Sequence, residues 1–165
     1  MSTPIWRTTA HVVAHPPPDG WRDALATRLG RRPRRVGLWT ELAMYGARCC
    51  LDEAGEAALP AGARLRVGSL RGAWAATHAG LAQLDAGMLM PFTFMQGQPA
   101  LMLAEVARCL GWQGDASFAL GRDPAQVLRL AQVGAGSAGL LVGLVEEARN
   151  GEAARSEWWR LAPSS

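Results

Sequence analysis

The sequence predicts a layered α/β domain, and three observations carry that reading. Short β-branched or apolar runs alternate with segments of helical spacing, in the order β, α, α, β, α, α, β, α, β. Glycine and proline stand at almost every boundary between them. Leu140 to Val145 is a continuous apolar run after a glycine-rich turn, which suits a central strand buried on both faces. The length of 165 residues suits one domain, or one half of a pseudo-symmetric larger fold. Charged residues make up 19%, under the usual ~25%, and seven Trp and six Met accompany them. That balance points to extra buried or interface surface.

Each element has a local reason. Ile5 to His15 is rich in β-branched residues and partly alternates, so it reads as a strand, ended by the Pro16–Gly20 turn. Trp21 to Leu29 has helical spacing, with Asp19 as its expected cap. Leu38 to Ala54 is a second helix, with Leu38, Leu42, Tyr45 and Cys49 as its apolar stripe and Thr40 as its expected cap. Arg64 to Leu70 begins by alternating and becomes apolar, as a strand entering a sheet would. Trp74 to Asp85 is a helix closed by Ala86-Gly87. Pro99 to Leu110 is apolar nearly all round, so the expectation is a helix buried on most sides or at a subunit interface. Ser117 to Leu120 is a short strand, and Asp123-Pro124 is a strong helix start, with Asp as cap and Pro at the first position. Trp158 to Leu161 docks as a last strand or arm, within a peripheral tail over 151–165.

Few residues suggest chemistry by themselves. Three cysteines, Cys49, Cys50 and Cys109, form no CxxC and no zinc pattern, which fits packed small side chains in a reducing cytosol. His11 and His15 share a face, but no further ligands are placed for a metal. His78 lies inside a helix, where a structural role is favoured over a catalytic one. Gly134 to Gly139 matches GxGxxG, yet it follows a helix and opens a strand, the reverse of a dinucleotide fingerprint. An αβ turn is the better reading, and no cofactor is expected. Asp123 reads as a cap before it reads as a nucleophile or general acid. No lysine is present, and the one basic cluster is Arg28, Arg31, Arg32, Arg34 and Arg35. It is a loop cluster with no nucleic-acid stripe, either simply solvated or facing an anionic partner such as a carrier-protein phosphate. No apolar stretch is long enough for a membrane span, and no signal peptide is evident, so a cytoplasmic protein is expected.

The order of elements resembles the N-terminal half of the thiolase fold, as used by β-ketoacyl synthases. Arg35 to Gly55 resembles that family's early helix, and LRVGSLRG from Leu65 is similar to the strand ending in a Gly/Ser turn. Met90 to Phe94 resembles the P-x-x-F lead into the next helix. Ala104 to Trp112 with Ser117 to Leu130 is similar to the strand, turn and helix that carry the family's nucleophile, and Gly139 to Glu147 to the strand after it. The likeness spans Val36 to Glu147, and it makes 1–165 a single synthase N-terminal-like domain of the chain-length-factor type.

The resemblance implies a layered thiolase-like half-fold, a mixed sheet with helices packed on it. It also implies a loss. The family's cysteine falls at Asp123, with Arg122 and Pro124 beside it, and the assisting histidines belong to a C-terminal half. No catalytic residue is therefore expected, and the chain reads as a pseudoenzyme supporting polyketide, aryl-polyene or fatty-acyl elongation. The implied partners are a second copy or a ketosynthase, with an acyl-carrier protein behind them. The implied interface uses Phe94, Leu101, Glu105, Arg108, Ser117, Phe118 and Leu120. The competing readings are an acyl-thioester enzyme built around Asp123 and His78, and a generic α/β adaptor.

Overall fold

In the computed structural model, which describes residues 5–88 and 90–164, the chain runs β1 (Trp6–Ala14), α1 (Trp21–Leu29), α2 (Leu38–Glu53), β2 (Arg64–Ser69), α3 (Trp74–Asp85), α4 (Pro91–Gln96), α5 (Pro99–Cys109), β3 (Ala116–Leu120), α6 (Pro124–Gln132), β4 (Leu140–Glu146) and β5 (Arg155–Pro163). The strands form one mixed sheet in the order β1-β5-β4-β2-β3. Strands β4, β2 and β3 are parallel, whereas β5 runs antiparallel to both β4 and β1. This is the layered α/β arrangement that the alternation of elements predicts. As expected, β4 is central, and all seven of its residues are buried.

The helices divide unequally between the two faces. On one face α2 packs against β1, β5 and β4, and α1 and α5 pack on α2 in turn. On the other face α6 covers β4 and β2. Val127 and Ala131 of α6 meet Leu140, Val142, Leu144, Trp159 and Leu161 there. Gly68 permits the approach of α6 to β2, because a Cβ at that position would lie 2.8 Å from Val127 Cγ2. Over β1, that second face carries His11, stacked on Trp159 at 5.0 Å and paired with Glu157 at 2.8 Å.

The side chain that locks α2 to the sheet is Trp158, which is fully buried. Its indole fits only because two glycines face it. A Cβ on Gly46 of α2 would lie 2.4 Å from Trp158 Cδ1 and 2.2 Å from Ser156 Oγ, and one on Gly143 of β4 would lie 2.5 Å from Trp158 Cζ2. The polar atoms are paired in sequence: Trp158 Nε1 donates to Ser156 Oγ at 3.0 Å, and Ser156 Oγ donates to the Leu42 carbonyl at 2.7 Å. Trp39 Nε1 likewise donates to the Val145 carbonyl at 3.1 Å.

Several sequence expectations are corrected here. The 151–165 segment is no peripheral tail, since β5 lies inside the sheet and supplies Trp158 to the core. The helix buried on most sides is α2, with eleven of its sixteen residues buried, and not α5, where only Met102, Leu103 and Val106 are. The apolar residues on the outer side of α5 are mostly alanines, which lose little by facing water. Asp19 and Thr40 cap nothing: the N-caps of α1 and α2 are Gly20 and Gly37, without side-chain bonds. Pro91 to Gln96 forms a short helix, α4, where the sequence reading had only a lead-in. The Gly134–Gly139 segment is an αβ turn, as expected, and at Gly139 (φ 82°) a Cβ would strike the Leu161 carbonyl at 2.2 Å.

The α2 helix start is held from the residue just after β4. The buried Glu147 carboxylate accepts the backbone N–H of Ala75 in the first turn of α3, at 2.7 Å, and that of Trp39 in the first turn of α2. One side chain thus satisfies free donors at two helix N-termini. Burial pushes its carboxyl above the usual range, against the lowering effect of those N–H groups.

Two measurements check this packing. An exposed helical Gly→Ala would gain about 1 kcal/mol from propensity. In G46A the overlap with Trp158 outweighs that gain, so urea unfolding is expected to show a net loss of about 1–3 kcal/mol; a gain would remove the wedge. Because the Glu147 carboxyl is raised in the fold, its protonation favours folding. That contribution is complete below its ordinary value of about 4.3 and is lost as pH rises through the folded value. Wild type should therefore lose stability relative to E147Q as pH is raised from 4 towards neutrality, and a pH-independent difference would contradict the burial.

Candidate functional site

The strand, turn and helix of the expected elbow are present. Strand β3 pairs with β2 in parallel from Leu65↔Ala116 to Ser69↔Leu120. Its start is pinned by Asp115, which accepts from Arg66 Nη1 at 3.1 Å and Nη2 at 2.8 Å and also pairs with Arg64 at 3.1 Å. The Arg66 guanidinium holds the Asp115 carboxyl below its usual range. Beyond Leu120, the Gly121 N–H still donates to the Ser69 carbonyl, and the chain then turns into α6 with Pro124 in the first turn.

At the turn, Asp123 does what a cap does. It is exposed, and its Oδ1 accepts from the Ala125 N–H at 3.1 Å. Arg122 is also exposed and lies 3.6 Å from Glu152, which pairs with Arg71 as well. His78 lies on α3, exposed, with its ring 3.9 Å from that of Trp74. The two residues belong to different layers: Ala73 and Ala76 beside His78 join the cluster on the α2 face, whereas α6 joins the cluster on the other. They line no common cavity among those described below. The fold does not assemble an acid–base pair from them.

Two further carboxylates shape this end of the sheet, and the sequence reading gave them no role. Buried Glu146 accepts the backbone N–H groups of Leu70 and Arg71, and Ser69 Oγ accepts that of Gly72 at 2.8 Å. With Glu147 they fix the loop between β2 and α3. The legible signal was two adjacent acids ending a fully apolar strand, where burial demands partners.

The three thiols are poor nucleophiles. Burial pushes Cys50 up to about 12 and Cys109 up to about 11, and it raises Cys49 as well. No group of three or more His, Cys, Asp or Glu suited to a metal occurs among the described residues.

The expected interface residues are spread over α4, α5 and β3. Leu120 and Phe94 are 72% and 70% exposed, Ser117, Leu101 and Arg108 are exposed, and Glu105 is half-buried. Phe118 is the exception in role: it packs edge-on against Trp39 at 5.9 Å. Strand β3 is an edge of the sheet. Since Gly121 donates to β2 and the Asp115 carbonyl accepts from it, the alternate groups of Ala116, Phe118 and Leu120 face away from β2. Beside this edge, Ala100, Ala104, Ala107 and Gly111 line a shallow cavity along α5 that reaches Ala116. Trp112 borders it, buried, with Nε1 unpaired. Between α3 and α4 lies an apolar cavity of about 600 Å³, lined by Leu81, Leu84, Met88, Met90 and Phe94 among others.

No protein-family model matches the chain, and no curated protein matches it. Solved structures do. The ishigamide ketosynthase/chain length factor aligns at a TM-score of 0.72 and 13% identity, over 98% of this chain and 59% of that one. The complex of the ketosynthase ApeO with its chain length factor ApeC, from Xenorhabdus doucetiae, aligns at 0.69 and 14%, over 97% of this chain and 79% of that one. AbyA1, a tetronic acid condensing enzyme, aligns at 0.51 and 17%, over 98% and 56%. The chain thus has the thiolase-like α/β fold of ketosynthase and chain-length-factor structures, and it spans less than two thirds of the first of them.

The thiols supply the check on the site. In the native protein at pH 7.5, all three are expected to react with Ellman's reagent far more slowly than in urea. A single fast thiol would reveal a nucleophile where burial predicts none.

Proposed function

We propose that the chain is a non-catalytic, ketosynthase-like subunit that pairs with a ketosynthase and supports polyketide, aryl-polyene or fatty-acyl chain elongation. The observation that carries this reading is the open edge of β3, bordered by apolar and small side chains, in a fold shared with a ketosynthase–chain length factor complex. An unpaired edge strand is a template for another chain. The flanking stripe of Ala100, Ala104, Ala107 and Gly111 lets a partner helix approach closely, and the unpaired Trp112 Nε1 lies at its border. Large apolar side chains on the α3–α4 arm, including Leu81, Leu84, Met90 and Phe94, extend the surface.

The role assigned to Asp123 is capping. Acyl transfer at the elbow would require a nucleophile that the position does not supply, so the condensing chemistry is assigned to the partner. A site around Asp123 and His78 gains no support from their placement in separate layers.

Co-expression with candidate ketosynthases, followed by molar mass measurement, tests the pairing. L120D places a charge on the open edge, and A104F fills the small-residue stripe; both positions are exposed. Each variant should leave the stability of the isolated chain within about 0.5 kcal/mol and abolish the complex. A complex that survives both substitutions would move the interface elsewhere, and a concentration-dependent homodimer sensitive to both would make the partner a second copy.

A further inference from the structure

We propose that the arginine-lined cavity between the α1–α2 loop and α5 is a binding site for a phosphate ester. The cavity measures about 900 Å³, at the upper end of small-molecule sites. Arg28, Arg31, Arg32, Arg34 and Arg108 line it, against a single carboxylate, Glu105. With the partner carboxylates Asp23 and Asp52 counted beside Glu105, five arginines less three acids leave two of the chain's net three positive charges here. The positive charge is concentrated in one concavity.

Pairing within the fold leaves two of the lining arginines without a carboxylate. Arg28 pairs with Asp52 at 2.9 Å, a carboxylate it shares with Arg48, while Arg32 pairs with Asp23 and Arg108 with Glu105. Arg31 and Arg34 have no carboxylate partner among the described residues, and both are exposed. Two unmatched guanidinium groups correspond to a phosphate monoester, which carries about −1.5 to −2 at neutral pH. A single carboxylate would satisfy only one of them. Guanidinium forks also suit phosphate oxygens, which they bind in pairs.

The rest of the wall selects an ester over a bare ion. Leu29, Val36 and Met44 give the cavity an apolar side, on which an organic group attached to the phosphate would lie. The loop that carries Arg31 and Arg34 contains Pro33 and a left-handed backbone at Arg35 (φ 61°), so the charges are presented from a restricted backbone. The cavity shares Glu105 and Arg108 with the expected interface, so its test uses Arg31 and Arg34, which lie outside that set.

Isothermal titration of the full chain with phenyl phosphate, and flotation with phosphatidic acid vesicles, distinguish a soluble ester from a lipid headgroup, and inorganic phosphate run beside them should bind more weakly than the ester. Binding in either arm is expected to weaken at least about tenfold in R31A/R34A, to recover only partly in R31K/R34K, and to be unchanged in R7A, whose arginine lies on β1 outside the cavity. Because Arg31 and Arg34 are exposed loop residues, the double variant should keep the wild-type melting temperature. No binding in either arm, or binding indifferent to R31A/R34A, would overturn the proposal. Binding of polyglutamate without phenyl phosphate or phosphatidic acid would also overturn it, and would reassign the cavity to an acidic protein surface.

Discussion

The contact on which the rest of the structure depends is the Trp158 indole between α2 and β4. It is a steric arrangement before it is anything else. A tryptophan of this size enters the layer between a helix and a sheet only where both surfaces lack side chains, and Gly46 and Gly143 provide that on either side. The fit brings the backbone of α2 close enough for Ser156 to bond the Leu42 carbonyl, and for Trp39 to reach the carbonyl of Val145. Strand β5 is thereby drawn into the sheet, and β1 pairs on its outer edge. Removing the fit would separate the last strand from the first long helix, although more than a hundred residues lie between them in sequence.

Elements governed by local chemistry were legible from the sequence. Proline after an aspartate marked the start of α6, the apolar run marked β4, and the order of helices and strands gave the layers. What was missed was set by long-range contact. Nothing near Trp158 says that it is central, because the glycines that accept it lie in α2 and β4. The apolar composition of α5 suggested burial on most sides, yet alanine is apolar and small, and half of that helix faces outward. Asp123 was legible as a cap because its partner is two residues away; Glu146 and Glu147 were not legible as loop anchors, because their partners are about seventy residues away or more.

At the elbow the backbone and the side chains give separate messages. The backbone has the strand, tight turn and helix that position a reactive group at a helix N-terminus. The side chain at that point is bound to the helix itself, so one of the N–H donors at the helix start, that of Ala125, is already in use. The ordered geometry at this end of the sheet comes from Glu146, Glu147 and Ser69, which organise loops and helix starts. An arrangement built this way keeps the shape of an edge strand and its flanking helix, and that shape is what a partner would meet.

The α3–α4 arm has one more consequence. None of the described residues in either helix is fully buried, and the arm is tied to the core at its base, through Ala75 on Glu147 and Trp74 beneath Arg149. Folding of the sheet therefore places little demand on the arm's composition. Its residues can drift in size and polarity without a penalty in the core, whereas Gly46 or Trp158 cannot. Within a lineage, this is the region where selection can act on the surface presented to other molecules, independently of selection on the fold.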